Sequence, residues 1–141
     1  MLQPMTLSAP FLGLALAAAL APTAAVSAPV TIKAGESWVF ALDKGEPVRA
    51  RRVTSSVKPG PGQIKATVIS TMGTTMTVSN NSRFSYTFRA ELVGAQPKAS
   101  GKARTCTLPA EGAPVLEYWP VKATAVRLST FKVAPTDGNC P

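Results

Sequence analysis

The segment Arg83-Phe-Ser-Tyr-Thr-Phe-Arg-Ala-Glu-Leu-Val93 alternates as far as Leu92. Phe84, Tyr86, Phe88, Ala90 and Leu92 take the even positions; Arg83, Ser85, Thr87, Arg89 and Glu91 take the odd ones. A two-residue period is that of a half-buried β-strand with a polar outer face. Composition points the same way. From Pro29 onward there are 12 Val, 3 Ile and 13 Thr against 5 Leu, and stiff β-branched side chains suit a pleated surface. No window after Pro29 carries a helical stripe.

Other runs follow the same period. Trp38, Phe40 and Leu42 alternate, as do Ile64, Ala66 and Val68 against Lys65, Thr67 and Ile69, and Met76 and Val78 against Thr75, Thr77 and Ser79. Val30–Lys33, Pro47–Thr54, Arg104–Leu108, Pro114–Trp119 and Val121–Val133 are further candidates. The last changes phase near Ser129-Thr130, because Val126 and Leu128 are even while Phe131 and Val133 are odd, and a β-bulge explains such a switch. Turn residues punctuate the runs at Lys33–Glu36, Asp43–Glu46, Lys58–Gly62, Asn80–Ser82, Gly94–Gly101 and Pro109–Pro114. Asn80-Asn81 lies between two alternating segments, so Met76–Leu92 reads as a β-hairpin. Seven to nine short strands with frequent turns predict an all-β fold, a small antiparallel β-sandwich, with a small β-barrel as the alternative.

The first 28 residues carry no charge, and all 15 Lys/Arg and 7 Asp/Glu follow from Lys33 onward. Within them an eleven-residue apolar run, Phe11–Ala21, precedes Pro22 and a stretch of small residues ending at Ala28. That order fits a secretory signal peptide over residues 1–28, cleaved after Ala25 or Ala28, although its start lacks Lys or Arg. The expected product is a single β domain over 29–141, exported to a periplasm or the exterior, with no transmembrane helix. Cys106 and Cys140 agree with export, since an oxidising compartment lets a pair persist as a disulfide. Closing that loop of about 34 residues is worth roughly 3–4 kcal/mol in the chain-entropy view.

The net charge is +8, and the sequence contains no His. The usual acid/base shuttle and the commonest transition-metal ligand are both missing, so neither a metal site nor a cofactor is expected. Glu91, Glu111 and Glu117 are the carboxylates considered for glycoside-type hydrolysis, but nothing in the spacing fixes a pair. No nucleophile-elbow pattern is present, and an enzyme is not the expected reading.

Three features remain as binding candidates. Val48-Arg-Ala-Arg-Arg-Val53 places Arg49 and Arg51 on one face and Arg52 on the other, with Lys44 and Lys58 in the flanking turns. Arginine forks suit phosphate and carboxylate groups, while charge on an edge strand also prevents edge-to-edge pairing. Phe84, Tyr86 and Phe88 read as the core face of a central strand rather than a base-stacking surface. Glu117-Tyr-Trp-Pro-Val121 fits a groove wall and a packed strand end equally. Asn80-Asn81-Ser82 matches the N-glycosylation pattern but reads as turn chemistry. The expectation is an exported binding or accessory protein whose basic face suits an anionic polymer, lipid head groups or an acidic protein. The alternative is a structural or assembly subunit joined through a sheet edge.

Overall fold

The computed structural model describes residues 26–96 and 107–135, together with the isolated positions Pro4, Pro10 and Gly13. The expected signal segment is therefore mostly outside the described residues, and so is the expected Cys106–Cys140 pair. Eight strands form the fold: β1 Val30–Lys33, β2 Ser37–Asp43, β3 Glu46–Val53, β4 Gln63–Ser70, β5 Thr74–Asn81, β6 Tyr86–Val93, β7 Val115–Trp119 and β8 Ala125–Val133. They make two antiparallel sheets, one of three strands in the order β1-β8-β6 and one of five in the order β3-β2-β4-β5-β7. The sheets do not close on each other, so the architecture is the sandwich and not the barrel. Among the described residues there is no helix long and apolar enough to cross a membrane.

Alternation supplies the core. Phe40, Ile64, Ala66, Val68, Met76 and Val78 from the larger sheet meet Val30, Ile32, Ala90, Val126, Leu128 and Phe131 from the smaller one. The phase switch in β8 is a bulge. Thr87 pairs with Lys132 and Arg89 with Ser129, so Thr130 and Phe131 together oppose Phe88. Thr130 takes φ 54°, which is costly for a β-branched residue. Contacts from the β2–β3 hairpin hold it there. Its N–H donates to Glu46 Oε1 at 2.9 Å, and the Phe131 N–H donates to the Gly45 carbonyl at 2.7 Å. The hairpin itself turns through Lys44 and Gly45, both at positive φ, as a two-residue connection between twisted strands requires. Because this geometry suits glycine, Thr130→Gly should raise the unfolding free energy by about 0.5–1 kcal/mol in urea denaturation. A loss of stability would show that the threonine is not strained.

The expected Met76–Leu92 hairpin does not form. β5 pairs with β4 and β7, whereas β6 lies in the other sheet beside β8. Asn80 and Asn81 are the last residues of β5, and the chain crosses between sheets just after them. Asn80 is 3% exposed and organises the crossing. Its Nδ2 donates to the carbonyls of Phe84 (2.8 Å) and Pro109 (3.2 Å), while Oδ1 accepts from the N–H and Oγ of Ser82. With that amide nitrogen committed, Asn80-Asn81-Ser82 is not an accessible glycosylation acceptor in the folded chain.

Three other expectations shift. The last strand begins at Ala125, not Val121, because residues 120–124 form a second crossing. Buried Thr74 Oγ1 ties that crossing by donating to the Val121 carbonyl and accepting from the Ala123 N–H. Of Arg104–Leu108, the described part is an isolated bridge from Leu108 to Tyr86. Among the described residues, the strand carrying Tyr86 and Phe88 lies at the edge of the smaller sheet, not at its centre, and Phe84 falls just before it.

Candidate functional site

Strand β3 is an edge of the five-stranded sheet, and it carries the arginines. Its pairing with β2 shifts register: Val39 faces Arg51, but Ala41 faces Val48, leaving Arg49 and Ala50 opposite Phe40. Arg49 takes φ 51°, a second bulge with a side-chain-bearing residue in the left-handed region. The bulge separates the two arginines expected to share a face. Arg51 lies across from Val39, which also pairs with Lys65, so those three residues share the outer face. Arg49 instead lines a cleft with Trp38, and Trp38 lies across from Arg52.

The five cations do not converge on one face. Lys44 sits in the hairpin that docks on the β8 bulge, and Lys58 sits in the loop beyond the other end of β3. Eight extended residues span about 25 Å, several times the roughly 8 Å screening length at physiological salt. The loop holding Lys58 is strapped over the outer face of the larger sheet. Lys65 Nζ donates to the Ser55 carbonyl, and Asn81 Nδ2 donates to the Pro59 carbonyl at 2.9 Å.

Charge compensation also differs along β3. Arg52 Nη1 pairs with Glu36 Oε1 at 3.4 Å, and Glu36 Oε2 accepts from Trp38 Nε1 at 2.8 Å. The indole hydrogen bond, followed by the Lys33 N–H and the Arg52 charge, outweighs desolvation and holds the Glu36 carboxyl below its ordinary pKa. Glu36 therefore stays ionised at neutral pH and offsets Arg52. Among the described residues, neither Arg49 nor Arg51 has a carboxylate within 4.0 Å.

The cleft lies on the open side of the sandwich, between β1 and β3, with a volume of about 470 Å³. Residues 26 and 28–31 form one wall, and Pro47, Val48, Arg49 and Ala50 the other, with Trp38 beside them. The Ala28 N–H donates to the Pro47 carbonyl at 3.1 Å and joins the two walls. Sequence reading gave no sign of this cleft, because its halves lie some twenty residues apart and meet only when the two sheets stack.

The remaining candidates resolve as follows. Phe88 stacks on Phe131 and Tyr86 meets it edge-on, so both belong to the core margin, while Phe84 is 55% exposed. In the Glu117–Val121 stretch, Glu117 and Trp119 are buried, and Tyr118 projects outward. Tyr118, Leu116 and Ile69 are each at least half exposed on the outer face of the larger sheet. Glu91 is bracketed by Arg127 and Arg89, chiefly by the Arg127 hydrogen bond, and its carboxyl is held below the ordinary pKa. Glu91 lies on the outer face of the smaller sheet, Glu117 faces inward from the larger one, and Glu111 sits in an exposed turn. Among the described residues no three His, Cys, Asp or Glu are placed to hold a metal ion.

Comparison of the chain with family models, curated proteins and solved structures finds no match.

Proposed function

We propose that the chain is an exported binding protein of the cell envelope or exterior, and that it engages an anionic partner through strand β3. One observation carries this reading: among the described residues, Arg49 and Arg51 stand on an edge strand without a carboxylate partner, and one of them borders a cleft. Keeping two guanidiniums uncompensated on one strand favours a partner that brings its own negative charge.

Retention on an anionic matrix, and titration with a sulfated polysaccharide at several ionic strengths, test it. Affinity should fall steeply with salt, and Arg49→Gln combined with Arg51→Gln should reduce the slope of log K against log salt by about 1–2. Lys132→Gln, on the far sheet, should leave the slope nearly unchanged. If the double variant behaves as the parent, β3 is not the site.

Export is part of the same reading. The wall formed by residues 26 and 28–31, tied down at Ala28, favours cleavage after Ala25 over cleavage after Ala28. N-terminal sequencing of the exported protein should therefore begin at Val26. Recovery of an exported soluble chain that retains Met1–Ala21 would overturn the signal-peptide assignment.

A further inference from the structure

We infer that the cleft between β1 and β3 binds a small monomeric anionic amphiphile, its acidic head on Arg49 and its apolar body against Trp38, Val26 and Pro29. This rests on the anion-binding role proposed for β3 and narrows its partner.

The lining is chemically divided. Val26, Pro29, Trp38 and Ala50 supply accessible apolar surface over the buried Val30 and Val48, and among the described residues Arg49 is the one charged lining residue. A hydrophilic polyanion would satisfy Arg49 and leave the apolar walls wet. An uncharged apolar ligand would fill the walls and strip water from an unpaired guanidinium, which is unfavourable. A molecule with one phosphate or carboxylate and a short apolar chain meets both demands. The cleft is broadly open to solvent, and its volume of about 470 Å³ lies in the range of small-molecule sites.

Two details suggest that the site is built. Arg49 occupies a left-handed position where glycine would be easier, so an arginine is kept there against a local backbone cost. Trp38 is held by its hydrogen bond to Glu36, which is itself held by Arg52, so the indole is already oriented before any ligand arrives.

The experiment titrates the exported chain with octyl phosphate below its micelle concentration. Inorganic phosphate, octyl glucoside and vesicles containing phosphatidylglycerol are run in parallel. Binding is followed by tryptophan fluorescence and by calorimetry. Trp38 is only partly buried, whereas Trp119 is 5% exposed in the core, so a ligand-induced change reports on the cleft. Octyl phosphate should bind one to one, at least about tenfold more tightly than phosphate or octyl glucoside. Arg49→Gly, which the positive φ accommodates without strain, should weaken it about tenfold while the thermal midpoint is maintained or rises.

Equal binding of inorganic phosphate, equal binding of octyl glucoside, binding to vesicles alone, or an unchanged Arg49→Gly variant would each overturn the amphiphile inference. If octyl phosphate fails while the sulfated polysaccharide still binds with a salt slope set by Arg49 and Arg51, only the inference falls. If both fail, the β3 reading falls with it.

Discussion

Phe131→Ala is expected to lower the unfolding free energy by about 3–5 kcal/mol, the usual cost of emptying a large aromatic site in a core. Phe131 is 3% exposed and touches rings from both sheets: Phe40 at 5.7 Å in the larger sheet, and Tyr86 and Phe88 at 6.2 and 5.6 Å in the smaller one. Truncation removes three aromatic contacts as well as buried area. Its backbone is pinned through the Gly45 carbonyl, so the β8 bulge has little freedom to collapse into the cavity. Domains of this size have only about 5–15 kcal/mol in total, so the variant should unfold at far lower urea than the parent. Phe84→Ala is the control. Its ring is 55% exposed, and its loss should cost under about 1 kcal/mol. If the two variants unfold together, the sheets are not held through this aromatic cluster.

Asn80→Ala should cost about 2–4 kcal/mol by the same measurement. The side chain serves two carbonyls and two Ser82 donors at the crossing from β5 to β6. Alanine removes the partners of the Pro109 carbonyl and the Ser82 N–H, while Ser82 Oγ still donates to the Phe84 carbonyl at 3.1 Å; each group left unsatisfied carries a penalty of roughly 1–3 kcal/mol, partly relieved by water. Asn80→Asp is the sharper probe. It keeps the acceptor for Ser82 but turns a carboxylate oxygen toward the carbonyls of Phe84 and Pro109, so it should be at least as damaging as Ala. An Asp variant as stable as the parent would mean that the amide nitrogen contributes nothing to the crossing.

Asn80 also marks where local reading of the sequence ends. An Asn-Asn pair between alternating segments is a reasonable hairpin signal, since both residues tolerate positive φ. Here neither is among the positive-φ residues. Asn80 is spent on the carbonyls of Phe84, four positions on, and of Pro109, 29 positions away, and the chain changes sheet instead of reversing within one. Short-range preference could not reveal this, because the deciding partner, Pro109, is distant in sequence.

What the sequence determined by itself was whatever depends on period. Alternation in residues 37–42, 64–69, 75–79 and 83–93 marked the strands and most of the core face, and the phase change at Ser129-Thr130 located the β8 bulge. The Lys44-Gly45 turn was legible because a two-residue hairpin places local demands on φ. The β3 bulge was not. Arg49, Ala50, Arg51 and Arg52 contain no apolar phase that could visibly switch, so a shifted register left no trace in the pattern. Which strands pair, that β6 lies at an edge of the described sheet, that the five cations disperse while Arg49 turns into a cleft, and that the cleft exists at all were decided only by stacking the sheets. Those outcomes depend on contacts between residues far apart in the chain, where burial and hydrogen-bond satisfaction override local preference.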